Sequence, residues 1–529
     1  MNSALLTALR KDLDAANFTV DGLNALWGES ADRALHRGQR RPAQRALENR
    51  ASSPRAVLAS LFVLGVPVTV IECRDALPTL GVSGALELGL VSVQGATVCA
   101  SVDLRPYAFT DTRGSAQWWI VSDLGELALG HELPEDHVLG VGGASLTLAR
   151  LMLQSTVSSV LDVGTGCGIQ ALHASRHAAR VVATDISKRA LHWAALNAEL
   201  NEISTIEFRH GNLFDPVIGE QFDRIVSNPP FVITPRVGGV PEYEYRDGGM
   251  VGDALVNAFV RRCGEHLTSG GVAQLLGNWE YRAGEEGLNR VQQWVEASGV
   301  PLDAWVIERE VSDCVEYAET WIRDGGITDL TAKERLLDVW LDDFESRRVE
   351  AVGFGYLLLR RTTDTPTLRR YERLTGALGN HDTGLGTAVA DAIAAHDALC
   401  RMSDDELGRL CLEHASDVTE ERHFWPGSDD PTVILLRQGG AFGRVVSVST
   451  ELAAFVGACD GELSVEAICV ALAQLMDVPE GELNGHLLPR VRALIEDGVL
   501  TLPGSADFPD QLTNTLPSQD RADSTDATR

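Results

Sequence analysis

Three stretches of this 529-residue chain carry residue types that can do chemistry. The first is Val160-Leu161-Asp162-Val163-Gly164-Thr165-Gly166-Cys167-Gly168, an apolar strand running into a glycine-rich turn, with a helix predicted from about Ile169. Glycines let the backbone approach a ligand closely, and the helix start adds oriented N–H groups. The second is Asp185, twenty-one residues beyond Gly164 at the end of the next strand. A carboxylate there can accept from both hydroxyls of a ribose, by the logic of dinucleotide-binding folds. A glycine turn alone would be a tight strand-to-helix connection, but the turn, the strand and Asp185 together point to a nucleoside-containing ligand. The third is Phe222-Asp223-Arg224-Ile225-Val226-Ser227-Asn228-Pro229-Pro230-Phe231, which puts Asn-Pro-Pro-Phe at the carboxyl end of the fourth strand. Ligands collect there in open α/β sheets. Elsewhere, Asn-Pro-Pro would read as a rigid turn and Phe231 as a core aromatic.

The glycine turn and Asn228-Pro229-Pro230-Phe231 together resemble the class I S-adenosylmethionine-dependent methyltransferases that methylate nitrogen. That group includes glutamine methyltransferases of release factors, ribosomal RNA guanine-N2 methyltransferases and adenine-N6 methyltransferases. The resemblance covers about 200 of the 529 residues. It implies S-adenosylmethionine as cofactor and a Rossmann-like core with a seven-stranded sheet. It also implies that Asp162 is the acidic residue of the first motif, that Gly164, Gly166 and Gly168 form the cofactor turn, and that Asp185 holds the ribose. Asn212 and Leu213 fall in the loop where many relatives carry an Asp that accepts from the adenine amine. Asn is a departure, though an amide oxygen can accept the same bond, and a plain loop cap is the other role open to it.

An amide or exocyclic amine has its lone pair delocalised, so the nitrogen is planar and a poor nucleophile. By resemblance, the Asn228 side-chain oxygen and the Pro229 carbonyl accept its two N–H bonds. That aims the nitrogen and favours the positive charge it gains. Pro229 and Pro230 stiffen the loop, Phe231 offers an aromatic face, and no strong general base is required. Tyr245-Arg246-Asp247-Gly248-Gly249-Met250-Val251-Gly252 resembles the segment that follows in glutamine methyltransferases. Asn212, Phe231 in place of Tyr, and Gly277-Asn278-Trp279-Glu280-Tyr281 after the fifth strand are closer to the guanine-N2 enzymes. Their common ground is a planar NH2 group on a large translation component. The reading leans to the glutamine amide of a protein translation factor, with a base amine of structured RNA as the alternative. A non-catalytic binding protein on a methyltransferase scaffold is the competing class; it predicts damage in the glycine turn or at Asn228 to Phe231, and neither is damaged.

These residues need elements to hold them. Short apolar strands alternate with helices from Ser158 to about Arg361, at Val160–Val163, Val181–Asp185, Ile206–His210, Arg224–Ser227 and Val272–Leu276, as in a parallel sheet covered on both faces. Ala304–Val311 and Val352–Leu359 are expected to close it as an edge hairpin. Between them lies the helical insert 313–348, in which Thr331-Ala332-Lys333-Glu334 reads as a capping box ahead of Leu336, Leu337, Trp340, Leu341 and Phe344. Asn197, on the second helix, reads as packing only. The expected domains are 1–103, mainly helical with a terminal hairpin in the order of a winged helix; 104–361, the methyltransferase core with its entry connector; 362–502, mainly helical and winged-helix-like from 445; and 503–529, a tail rich in Asp, Ser, Thr and Pro expected to be disordered.

Composition bounds the rest. Hydrophobic residues at 44% and charged residues at 23% are globular values. No apolar run reaches the ~20 residues of a membrane span, and Met1 to Asp12 lacks the features of a secretory leader. Nine cysteines without a C-x-x-C pair read as free thiols in a reducing compartment. A cytoplasmic protein without membrane contact is expected. The histidines show no ligand spacing, so no metal is assigned. A net charge of −30 argues against a surface that embraces nucleic acid as a whole. Seven arginines between Arg33 and Arg55, against one acid, Glu48, are the exception. They are either a phosphate-contacting face or a solvated helix paired with the chain's own carboxylates.

Overall fold

The computed structural model describes residues 2–48, 53–129, 133–327, 329–379 and 383–504. The chain divides into a first unit reaching Ala377 and a second from Leu385. Among the described residues no helix is long and apolar enough to cross a membrane.

The first unit begins with helices α1 (Ser3–Ala15), α2 (Val20–Trp27), α3 (Glu29–Leu35) and α4 (Arg41–Glu48). Helix α5 (Pro54–Leu58) runs into a π turn, followed by β1 (Val68–Thr69), α6 (Val70–Ala76), α7 (Gly81–Glu87), β2 (Val91–Gln94) and β3 (Thr97–Ala100). The strand order is β1-β3-β2. The long hairpin β4 (Asp103–Asp111) and β5 (Gly114–Ser122) comes next, and its Trp118, Trp119, Ile120 and Val121 are buried. One hydrophobic core runs from Leu6, Phe18 and Phe62 through Trp119 to Cys167, Ile169, Trp193 and Leu196. Polar fasteners follow the same seam: Arg10 Nε donates to Leu200 O (2.8 Å) and Trp119 Nε1 to Phe18 O (2.7 Å).

Helices α8 (Glu126–Leu129) and α9 (Gly143–Leu151) lead into the main sheet. It comprises β6 (Val157–Val163), β7 (Ala178–Asp185), β8 (Ile206–His210), β9 (Phe222–Ser227), β10 (Leu267–Arg282), β11 (Leu302–Asp313), β12 (Val349–Arg361) and β13 (Arg369–Arg373). The intervening helices are α10 (Ile169–Ser175), α11 (Lys188–Leu200), α12 (Ala254–Cys263), α13 (Gly287–Glu296), α14 (Cys314–Asp324) and α15 (Leu330–Ser346). The eight strands lie in the order β13-β11-β12-β10-β9-β6-β7-β8. Strands β10, β9, β6, β7 and β8 are parallel, and β12 is antiparallel to both neighbours, β10 and β11. This is the Rossmann-like class I methyltransferase core, with helices on both faces burying apolar strands.

Four expectations need correcting. The sheet has eight strands rather than seven, because β13 pairs parallel to β11; the Ala304–Val311 and Val352–Leu359 strands therefore do not end the sheet, and the later one lies inside, between β10 and β11. Gly277 to Tyr281 is not a loop after the fifth strand but part of β10, paired with Gly355 to Ala351 of β12. The cap of α15 is Asp329, whose side chain accepts from Ala332 N, so Thr331 and Glu334 form no capping box. Residues 362–502 are not mainly helical. The second unit has α16 (Gly386–Arg401), α17 (Asp404–Gly408), α18 (Thr450–Gly457), α19 (Val465–Met476) and α20 (Glu480–Glu496), but also two three-stranded sheets. These are built from β14 (Cys411–His414), β15 (Val418–His423), β16 (Val433–Gln438), β17 (Val445–Val448), β18 (Asp460–Ser464) and β19 (Leu500–Thr501). The expected tail lies almost wholly outside the described residues.

The insert α14–α15 has its own small core, in which Tyr317, Ile322, Trp340 and Phe344 enclose Val232 and Ile233, the two residues that follow Phe231. The loop leaving β9 is thus anchored in the insert.

Candidate active site

The carboxyl ends of β6, β7 and β9 gather the residues singled out in the sequence. Asp162, at the end of β6, is fully buried; one carboxylate oxygen accepts from the Thr165 hydroxyl (2.6 Å) and the other has no hydrogen-bond partner. Burial, with Asp185 adding to it and Thr165 opposing, pushes its carboxyl up to about 7. Gly164, Gly166 and Gly168 all have positive φ (73°, 55° and 89°), a region side chains other than glycine disfavour. A Cβ at Gly164 or Gly166 would point into open space, whereas one at Gly168 would sit 3.0 Å from Ala194 Cβ. The first two glycines therefore shape an open cradle and the third lets α10 close on α11.

Asp185 holds that cradle: its carboxylate accepts from Gly166 N (2.9 Å) and Ser187 N (2.8 Å), leaving lone pairs for a ligand. Burial raises its pKa. Gly211 N donates to Asp185 O (3.0 Å) and His210 Nε2 lies 2.8 Å from Ile186 O, so the Asn212–Leu213 turn is fixed beside Asp185. Asn212 is exposed, Leu213 is held at φ 44°, and Ile186 is 63% exposed, an apolar side chain next to the ribose-type acid.

Asn228 ends β9. Its neighbour Ser227 donates to Val163 O (2.7 Å), locking the motif to the glycine strand. The Asn228 Nδ2 faces Ser145 Oγ of α9 at a long 3.5 Å, while its Oδ1 is buried without a partner. Such an orphaned acceptor costs about 1–3 kcal/mol unless something donates to it. Pro229 is buried; Pro230 and Phe231 are half-buried, and the Phe231 ring packs 5.5 Å from Phe354. Phe231 therefore presents only part of its face to the site.

The Tyr245–Gly252 segment lies across this motif. Val232 N donates to Arg246 O (2.9 Å), Asp247 accepts from the Thr234 hydroxyl and from Tyr243 N (2.6 Å), and a Cβ on Gly248 would stand 2.8 Å from Pro230 O. Gly248 is required by this close approach. From the connector, Glu135 O accepts from Glu244 N (2.9 Å), and His137, 2% exposed and with its pKa lowered by burial, packs against Tyr245 with neither ring nitrogen hydrogen-bonded.

Sequence reasoning missed several contributors. Asn197 does more than pack: its Oδ1 accepts from Val121 N (2.8 Å) and its Nδ2 donates to Val121 O (2.9 Å) and Cys167 O (2.8 Å), bracing the glycine turn. A polar residue on the buried stripe of a helix was the signal. Ser145 and Tyr317, whose hydroxyl accepts from Ile233 N (3.0 Å), had none. Asn278, in the segment that resembles the guanine-N2 enzymes, is buried and donates to Tyr317 Oη.

The site offers an open glycine cradle, lone pairs on a buried and a half-buried carboxylate, an apolar side chain beside them and an orphaned amide oxygen. These fit a nucleoside bearing a cationic centre, and they include the donors and acceptors that S-adenosylmethionine needs.

Residues 140–297 match the family model of the methyltransferase small domain, and residues 15–101 match one described only as a domain of unknown function. A putative protein N5-glutamine methyltransferase of Methanocaldococcus jannaschii is 32% identical over 135 residues, 25% of this chain and 68% of that protein. The release factor glutamine methyltransferase of Xylella fastidiosa (Temecula1) is 47% identical over 75 residues, 14% of this chain and 27% of the relative. The ribosomal protein uL3 glutamine methyltransferase of Bradyrhizobium diazoefficiens is 34% identical over 150 residues, 26% of this chain and 46% of the relative. The chain thus spans less than half the length of these two bacterial relatives.

Proposed function

This chain belongs to the family of small-domain methyltransferases, and on that premise we propose that it methylates the side-chain amide nitrogen of a glutamine in a protein of the translation machinery, using S-adenosylmethionine. The observation that carries the proposal is the buried, unpartnered Asn228 Oδ1 at the end of β9, beside the glycine turn. When bound, S-adenosylmethionine supplies an electrophilic methyl on a sulfonium.

The chain's own residues do the rest. Gly164 and Gly166 admit the cofactor against the backbone, Asp185 takes its ribose hydroxyls, and Ile186 and Asn212 border the adenine. Asp162, beneath the turn, would face the cationic end of the cofactor, whose positive charge would favour the ionised carboxylate that burial disfavours in the empty site. Asn228 Oδ1 and the Pro229 carbonyl accept the two amide N–H bonds of the glutamine. That fixes the nitrogen's lone pair towards the methyl and favours the charge developing on nitrogen. Pro230 and Phe231 hold the loop, with Phe231 braced by Phe354. The proton lost after transfer is acidic enough to leave to water, so no strong base need be present. The relatives' names, one for glutamine in a release factor, one for glutamine in a ribosomal protein and one for protein N5-glutamine without a stated acceptor, favour the protein amide over a base amine. Such an acceptor places the protein in the cytoplasm.

Full-length protein incubated with radiolabelled S-adenosylmethionine and cell extract should yield label removed by protease and resistant to ribonuclease. Asn228→Ala should lower transfer at least 100-fold, the scale of losing a charge-stabilising group, while calorimetry shows cofactor affinity within about threefold. Ribonuclease-sensitive label would move the acceptor to RNA, and undiminished transfer by the variant would end the mechanism.

A further inference from the structure

Carboxylates number 75 in 529 residues, about one in seven, yet none falls between Arg33 and Leu47, a stretch holding five arginines and His36. The fold sorts these arginines into two kinds. Arg55 donates to Ala16 O and Gly22 O (both 3.0 Å) and Arg40 to Leu64 O (3.4 Å), so both serve as internal fasteners. Arg33, Arg37, Arg41 and Arg45 are exposed. They stand on or between α3 and α4, which pack together with Ala31, Ala34, Ala43 and Leu47 turned inward. Arg50 lies outside the described residues.

The surface does little to neutralise this face. Arg33 reaches Glu29 only at 3.9 Å, and Arg41 meets Glu48 at 3.1 Å. Solvent-exposed pairs of this kind are weak and leave the arginines available to a stronger anionic partner. Arg37 and Arg45 have no ion pair among the described residues. Apart from the arginines, the exposed residues between Arg33 and Arg45 are His36, Gly38, Gln39 and Pro42, while Leu35 packs against the core, so no exposed large apolar side chain is there to anchor a protein partner. Arginines without apolar anchors suit a ligand bound through charge and bidentate geometry alone, which describes a phosphate backbone.

We propose that the α3–α4 face docks on the phosphate backbone of helical RNA. The choice of RNA over other polyanions rests on the translation-associated acceptor proposed above; the docking itself does not require methyl transfer. Residues 15–101 would then act as a locator that brings the methyltransferase core to an acceptor protein seated on RNA.

Fluorescence anisotropy with full-length protein and a labelled 20-base-pair RNA hairpin tests this. Four phosphate contacts, each contributing a slope of about 0.9 in log K against log salt, predict affinity falling roughly 100-fold between 50 and 200 mM salt from a Kd on the order of micromolar. The variant Arg33→Gln/Arg37→Gln/Arg41→Gln/Arg45→Gln should lose most of that slope while keeping its circular dichroism spectrum, its cofactor affinity and its transfer to purified, RNA-free acceptor. Polyglutamate of matched charge should compete poorly. No binding by the native protein at 50 mM salt, an unchanged slope in the variant, or competition by polyglutamate as strong as by RNA would each overturn the docking proposal. Asn228→Ala should bind the hairpin normally. A protein that docks on RNA but never methylates protein would sink the acceptor and leave the docking standing, so the two proposals fail separately.

Discussion

Asp162 is positioned to hold a proton that an exposed aspartate would lose. Its carboxyl titrates near 7 in the folded chain, chiefly through burial, against about 4 when unfolded. The folded state therefore binds the proton more tightly. The stabilisation is complete below about pH 4 and is lost as pH rises through 7. Between pH 5 and 8 the cofactor-free protein should lose on the order of 3 kcal/mol that Asp162→Asn does not lose, measured by denaturant unfolding. Parallel pH profiles for the two proteins would show that Asp162 is already ionised at pH 5. At this scale the sequence was informative where a residue type is tied to a ligand: the three glycines, Asp185 and Asn228 all arrive at one place. It was uninformative where a residue serves another residue. Two of the three side-chain hydrogen bonds of Asn197 depend on β5 passing beside α11, a pairing across 76 positions that no local pattern announces, and the third reaches Cys167 O in the glycine turn.

The inner parallel strands β6, β7 and β9 were legible because each carries a short apolar run buried in the sheet and flanked by turn residues. The full length of β10 was not, since Gly277 to Tyr281 gains its ladder only from β12, some seventy residues later. The short strands of the second unit were also hidden: Val418–His423 has charged side chains at three of six positions and no clean alternation. The capping error at α15 has a local cause, because Asp329 competes with Thr331 for the same role and starts the helix two residues earlier. Between elements, the closest dependence at the site is Gly248 under the Pro230 carbonyl, where an added methyl group would also meet Leu255 Cδ2 at 2.6 Å. Gly248→Ala should push the Asn-Pro-Pro loop out of line. Its kcat should fall more than tenfold, with cofactor Kd changed less than twofold by calorimetry. A variant with native kcat would mean the Tyr245–Gly252 segment yields without disturbing Asn228.

On the scale of the molecule, the amino-terminal helices and the cofactor side of the sheet share one hydrophobic core, joining Phe18 and Phe62 to Ile169 and Trp193. A fragment of residues 104–361 would expose that seam. At about 25 cal/mol per Å² of apolar surface, leaving even a few such side chains in water forfeits several kcal/mol, a large share of a typical domain's stability. The fragment should aggregate, or unfold at markedly lower denaturant than residues 1–377, followed by light scattering and circular dichroism. A monomeric, cofactor-binding fragment would show that the shared core is dispensable.

The small core of the α14–α15 insert has a different kind of consequence. Val232 and Ile233 root the acceptor loop among Tyr317, Trp340 and Phe344, whereas the cofactor turn rests on the amino-terminal core and on α10 and α11. The two halves of the reaction therefore answer to separate sets of side chains. Substitutions that reshape the insert can retune which substrate is accepted while the cofactor grip stays unchanged, so acceptor preference can drift over generations without a loss of the underlying chemistry.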